Sequence, residues 1–215
     1  MINVMIVDDH DLVRLGIQRL LKDVRGIEII AEAHTGEDAV RMARELQPNV
    51  ILMDINMPGM GGIEACKRIH RYLPDAKIIV LTVHSDEPYP SRLLKAGASG
   101  YLTKGTGVDE LVLAIRQVNS GNRYISAQVA QEMALKPFSN HENSELFQGL
   151  SEREIQVMMM ITSGEKVASI SDSLCLSPKT VNSYRYRLFE KLGVDNDVRL
   201  THLAIRHGII DPAIL

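Results

Sequence analysis

Five short apolar runs alternate with amphipathic stretches across the first 120 residues. The runs are Ile2–Val7, Ile27–Ala33, Val50–Met53, Lys77–Thr82 and Gly100–Thr103. Between them, apolar residues return at helical spacing, as in Leu12, Val13, Ile17, Leu20 and Leu21,. The stretches 36–46, 61–72, 91–96 and 108–120 also read as helices; the first stops before Pro48,. Uninterrupted apolar strands separated by helices require a sheet covered on both faces, and parallel connection is the arrangement that provides it. The expected fold is therefore α/β, with a five-stranded parallel sheet of flavodoxin-like form.

The alternation stops near Asn122. Residues 125–149 include the polar stretch 137–144 and read as a linker,. Beyond it every pattern is helical. Ser151 and Glu154 have capping-box spacing, and Ser177-Pro178 places a capping hydroxyl before a proline at the first helical position,. The expected division is an α/β domain at 1–124, a linker at 125–149 and a small all-α domain at 150–215.

Composition removes several classes. The chain of 215 residues is 45% hydrophobic and 24% charged, as in ordinary globular proteins,. Its apolar runs fall well short of the ~20 residues of a membrane span, and the start lacks the pattern of a signal peptide. Two cysteines, Cys66 and Cys175, make no disulfide framework and read as buried small residues,. A cytoplasmic protein without membrane contact is expected. Net charge is −3, but residues 177–191 carry Lys179, Arg185, Arg187 and Lys191 against Glu190 alone. A local basic face on a neutral domain suffices for a DNA contact.

The chemistry gathers at strand ends. Asp8 and Asp9 follow the first strand, Asp54 ends the third, Thr82 ends the fourth and Lys104 follows the fifth. Parallel strands bring those ends to one edge, where such sheets bind ligands. Crowded carboxylates repel one another unless a cation intervenes. A hard divalent ion with oxygen ligands meets that need, and Mg²⁺ fits. One carboxylate could then attack phosphorus to form an acyl phosphate, with metal and lysine spreading the charge and Thr82 donating to a phosphoryl oxygen. Taken singly, Asp8-Asp9 suits a solvated turn and Lys104 a surface charge; the weight lies in their recurrence at the ends of four strands. His10 and His84 read as solvated side chains.

Residues 166–191 fit a helix-turn-helix. Val167, Ile170 and Leu174 lie on one helix, Cys175-Leu176-Ser177 forms the turn, and Val181, Tyr184 and Leu188 lie on the next helix. Lys179, Asn182, Ser183, Tyr186 and Arg187 can then point outward into a major groove.

Val7-Asp8-Asp9-His10, Met53-Asp54-Ile55-Asn56-Met57-Pro58-Gly59, Leu81-Thr82 and Gly100-Tyr101-Leu102-Thr103-Lys104 resemble the receiver domain of two-component response regulators. Leu150-Ser151-Glu152-Arg153-Glu154, Ser177-Pro178-Lys179-Thr180-Val181 and Lys191-Leu192-Gly193-Val194 resemble the DNA-binding domain of the LuxR/NarL/FixJ class, and the whole chain is most similar to its GacA/UvrY/VarA group. The resemblance implies that Asp54 accepts a phosphoryl group from a sensor histidine kinase. Asp8, Asp9, Asp54 and the main-chain carbonyl of Asn56 would hold Mg²⁺, with Asp9 the more direct ligand. Lys104 would pair with the phosphoryl group, Thr82 would move toward it and Tyr101 would change rotamer. Lys179, Thr180, Asn182, Ser183 and Tyr186 would face double-stranded DNA, with Arg185 and Arg187 mostly on phosphates. The helix at 197–207 would form a homodimer when the protein is phosphorylated or DNA-bound. Phosphorylation would release a recognition helix or a helical dimer surface occluded by the receiver, favour a dimer on DNA and activate transcription, by family resemblance of small regulatory RNA genes.

Two departures from the family pattern stand out. Gly105 follows Lys104 where proline is frequent, so a cis bond there would cost ~3–4 kcal/mol. Pro88 and Pro90 bar a regular helix before Ser91,. Two other functions compete. An Asp-nucleophile phosphohydrolase would need a second carboxylate just past Asp54, where Ile55-Asn56 stand. A receiver acting through protein contacts alone would not need the residues of the basic helix face.

Overall fold

The computed structural model describes residues 1–55, 57, 59–82, 93–94, 96–127, 129–131, 147 and 149–207. The chain divides into two compact units, Met1–Leu135 and Lys136–Leu215. The expected helix at 91–96, its preceding prolines and His84 fall wholly or mostly outside the described residues.

The first unit runs β1 (Ile2–Val7), α1 (Asp11–Leu21), β2 (Ile27–Ala33), α2 (Gly36–Leu46), β3 (Val50–Asp54), α3 (Gly62–Tyr72), β4 (Lys77–Thr82), β5 (Gly100–Thr103), α4 (Val108–Asn119) and β6 (Tyr124–Ile125). Its sheet has the order β2-β1-β3-β4-β5-β6, and every pair is parallel. The expected five strands are all present. The sixth, β6, is an addition: Tyr124 and Ile125 pair with Gly100 and Tyr101. Two residues are too short to show a period, so nothing in the local pattern separated them from the segment that follows.

The strand interiors explain the layers. Val4, Ile6, Val50, Leu52, Ile79 and Leu81 pack with Ile17 and Leu21 of α1 and with Leu111, Ala114, Ile115 and Val118 of α4. Met5, Ile51, Met53, Ile78 and Val80 alternate with them and are equally buried. Side chains alternate across a strand, so this second set lies under the other face, the side of α2 and α3. Burial on both faces is why these strands read as unbroken apolar runs.

Close packing fixes the chain just past β3. Gly62 begins α3, and a Cβ there would stand 1.9 Å from the Asp54 carbonyl oxygen. Its N–H donates to the Ile55 carbonyl at 3.0 Å. The Glu37 carboxylate, in the first turn of α2, accepts the Met60 N–H at 2.8 Å. The loop after Asp54 is thus held against both helices of that face.

The second unit contains α5 (Glu152–Thr162), α6 (Val167–Ser173), α7 (Pro178–Leu192) and α8 (Asp197–Arg206). The capping box forms at α5: Ser151 accepts the Glu154 N–H, and the Glu154 carboxylate accepts the Ser151 N–H at 2.7 Å. Ser177 caps α7 by accepting the Thr180 N–H at 3.1 Å, with Pro178 in the first turn. Gly193 ends α7 in the left-handed conformation, φ 65°,. Ile155, Met158, Ile161, Ile170, Leu174, Val181, Leu188, Leu192, Leu200 and Ala204 form the core. Among the described residues no helix is long and apolar enough to cross a membrane.

Substituting Gly62→Ala forces the Asp54 main chain and α3 apart. Overpacking of this kind costs about 1–3 kcal/mol. The expected result is a matching loss in the free energy of unfolding in urea, read from the first unit of the full chain.

Candidate functional site

The parallel register brings the expected strand-end residues together. Val7 pairs with Met53, Asp54 with Leu81 and Thr82 with Thr103, so the carboxyl ends of β1, β3, β4 and β5 lie on one rim. Asp8, Asp54 and Thr82 are buried there, each with at most 1% of its surface exposed. The Lys104 ammonium lies 2.8 Å from Asp8 Oδ2 and 3.0 Å from Asp54 Oδ2. Asp9 is more open, with 27% of its side chain exposed. Ligand atoms of Asp8, Asp9, His10 and Asp54 all fall within 4.8 Å of one another.

The charges explain the arrangement. Three carboxylates face one ammonium, so the rim is short of positive charge. Burial lowers the Lys104 pKa, but hydrogen bonds and charge from Asp8 and Asp54 outweigh it and hold the ammonium above its ordinary value,. The donor set is hard oxygen from carboxylates, the chemistry that suits a small divalent cation. The residues therefore fit such an ion.

Two neighbours of this cluster were not evident in the sequence. His10 is exposed, as expected, yet its Nδ1 lies 2.8 Å from Asp9 Oδ1 and 3.3 Å from Asp8 Oδ1. Its own N–H donates to Asp8 Oδ1 at 2.9 Å. Arg14 is buried and donates to the Asp8 carbonyl at 2.8 Å, while its guanidinium also meets Asp11 and Glu32. An arginine one turn into an amphipathic helix looks like a surface charge; only the neighbouring strand shows why it turns inward.

Tyr101 is inside, with 1% exposed, on β5 between β4 and β6. Lys104 follows β5, and its N–H donates to the Thr82 carbonyl at 2.6 Å. No cis peptide occurs among the described residues, so Lys104–Gly105 is trans. Asn56, expected to offer its carbonyl, lies outside the described residues.

In the helical unit, α7 presents Lys179, Ser183, Tyr186 and Arg187 as exposed residues, with Thr180 and Asn182 half-buried. At ~100° per residue, Lys179, Ser183 and Tyr186 fall opposite the buried stripe of Val181, Leu188 and Leu192. The Arg187 guanidinium lies over the Tyr184 ring at 5.9 Å. Arg185 is placed differently from its neighbours: it forks onto Asp197 at 2.7 and 2.6 Å. Lys191 reaches Glu154 at 2.7 Å and the Gly149 carbonyl at 3.1 Å. The turn before α7 passes through Cys175 at φ 51°, a left-handed residue without glycine,. Cys175 is exposed rather than buried, because that conformation turns its side chain out of the apolar stripe. The buried Ser171 hydroxyl donates to the Leu176 carbonyl across this turn. That bond gives one of the many serines of α6 a structural task that composition did not disclose.

Two family models match the chain. One, "Response regulator receiver domain", covers residues 4–116; the other, "Bacterial regulatory proteins, luxR family", covers residues 148–204. The response regulator GacA of Pseudomonas aeruginosa is 56% identical over 213 residues, covering 99% of this chain and 100% of that one. The response regulator UvrY of Escherichia coli is 56% identical over 209 residues, covering 97% and 96%. Among solved structures, RcsB from Salmonella enterica serovar Typhimurium, bound to promoter rprA with phosphomimetic BeF3-, gives a TM-score of 0.66 at 26% identity, covering 94% of this chain and 97% of that one. A two-component response regulator of the LuxR family from Aurantimonas gives 0.60 at 39% identity, covering 63% and 97%.

Glu154 supplies a pH test of the helical unit. Burial raises its pKa, but Lys191 and the Ser151 cap outweigh that and hold it below the ordinary 4.5. A depressed carboxylate stabilises the fold above its unfolded pKa and loses that contribution as pH falls through the folded one. Glu154→Gln is therefore expected to lower amide protection in α5 and α7 at pH 7. The gap from the parent protein closes as pH drops below 4.5, as read by hydrogen exchange.

Proposed function

The chain belongs to the two-component response regulators that join a receiver domain to a luxR-family regulatory domain, and from that premise we propose that Asp54 is its phosphoacceptor and α7 its DNA reader. It is a transcription regulator that takes up a phosphoryl group rather than an enzyme that turns over substrate. The observation that carries the residue assignment is the Lys104 ammonium bridging Asp8 and Asp54 on the rim.

An Asp54 carboxylate oxygen attacks the phosphorus of a phosphohistidine on a sensor kinase. The P–N bond breaks, its electron pair returns to the imidazole, and Asp54 becomes an acyl phosphate. Asp8, Asp9, Asp54 and the Asn56 carbonyl would hold Mg²⁺, which when bound offsets charge on the phosphoryl oxygens. Lys104 exchanges the Asp54 carboxylate for a phosphoryl oxygen. The Thr82 hydroxyl donates to the same group, and Tyr101 changes rotamer in step with it.

On the DNA side, Lys179, Thr180, Asn182, Ser183 and Tyr186 meet the major groove, with Arg187 on phosphate. A homodimer on two half-sites is the expected active form, in the cytoplasm, with genes of small regulatory RNAs among its targets by family. Support for this reading comes from the full-length similarity to GacA and UvrY. The RcsB complex adds a related protein bound to a promoter.

Acetyl phosphate with Mg²⁺ is expected to place one phosphoryl group on the parent protein and none on Asp54→Asn. Chelating the divalent ion should stop the labelling. Gel-shift titration should show tighter operator binding after phosphorylation of the parent and no such gain in Asp54→Asn; a retained gain rejects Asp54 as the acceptor. Asn182→Ala should cost about 1–3 kcal/mol of discrimination between operator and unrelated DNA, the worth of one bidentate base contact.

A further inference from the structure

Arg185 is one of four cations on α7, and by charge count alone it belongs to the DNA-facing set. Its geometry says otherwise. At ~100° per residue it lies ~40° from the mean direction of the buried stripe, on its flank rather than on the face shared by Lys179, Ser183 and Tyr186. Its Nε donates to Asp197 Oδ1 at 2.7 Å and its Nη2 to Asp197 Oδ2 at 2.6 Å. The guanidinium carbon also stands 5.4 Å from the centroid of the Phe189 ring. One edge of the guanidinium is spent on a carboxylate and one face on an aromatic ring. Bidentate forks of this kind are among the stronger protein hydrogen bonds.

Asp197 is well placed to keep that hold. It occupies the first turn of α8, capped by Asn196, where the helix dipole favours a negative charge,. Lys191 is likewise engaged, with Glu154. Two of the four α7 cations therefore have carboxylate partners within the unit.

We propose that Asp197 withholds Arg185 from DNA and uses it as a strut that sets α7 against α8. Lys179 and Arg187 are then the cations of α7 left to meet phosphate. Asp197 is a positioning residue for DNA recognition, acting through Arg185. The proposal rests on α7 being the DNA reader.

The test is a mutant cycle on the full-length protein, measuring DNA affinity against salt with a duplex bearing the operator and with an unrelated duplex. Each neutralised phosphate contributes ~0.9 to the slope of log affinity on log salt. Arg185→Ala alone should leave the slope unchanged while lowering the unfolding midpoint of the helical unit. Asp197→Ala should free the guanidinium and steepen the slope by about 0.9 per bound protomer, on both duplexes. That gain should vanish in the Arg185→Ala/Asp197→Ala double variant. A slope that falls by about 0.9 in Arg185→Ala alone overturns the proposal, because the arginine was then already on phosphate. So does an unchanged slope in Asp197→Ala, or a gain that survives in the double variant. Lys179→Ala keeps the two readings apart: if the parent binds DNA and Lys179→Ala loses affinity while the cycle fails, only the withholding falls. If the parent shows no binding to either duplex, the DNA-reader assignment falls and takes this one with it.

Discussion

Like charges crowded into a small space are the constraint on which the receiver unit turns. Asp8, Asp9 and Asp54 converge because the carboxyl ends of two neighbouring parallel strands, β1 and β3, lie side by side. Lys104 is the protein's own answer to that repulsion, and contact with Asp8 and Asp54 holds its ammonium above the ordinary lysine pKa despite its burial. One ammonium does not neutralise three carboxylates. The residual negative charge leaves the rim suited to a small divalent cation,. Arg14 donates to the Asp8 carbonyl and so ties the main chain beside the acids to α1.

The helical unit solves a different problem. Its net charge is zero, with eight basic and eight acidic residues over 150–215. Affinity for a polyanion then depends on where the charges sit. Capping residues set the helices: Ser151 with Glu154 at α5, Ser177 at α7 and Asn196 at α8. Acid–base pairs between helices, Arg185 with Asp197 and Lys191 with Glu154, brace α7 on two sides. What remains exposed is a mixed face of Lys179, Ser183, Tyr186 and Arg187, flanked by the half-buried Thr180 and Asn182.

Much of this could be read from the chain alone, for physical reasons. Strands buried on both faces leave unbroken apolar runs, and parallel topology then dictates that Asp8, Asp54, Thr82 and Lys104 share an edge. Serine caps and Pro178 announce helix starts within a residue. What escaped had no local signature. The two residues of β6 pair only because β5 presents a free edge to them. Arg14 and His10 turn toward the carboxylates for reasons set by groups on other elements or by side-chain rotamer. Arg185 carried the right charge in the right helix, yet its partner lies twelve residues on, beyond a turn. Cys175 looked like a core residue until the turn gave it a left-handed backbone.

The moorings of the loop after Asp54 have a further consequence. Glu37 ties it to α2 through Met60, and the bare Cα of Gly62 lets α3 lie directly against the Asp54 carbonyl. Two helices thus share one anchorage beside the Asp54 carbonyl. Loss of the Glu37 carboxylate or a side chain added at position 62 would therefore disturb the main chain beside Asp54 from either helix.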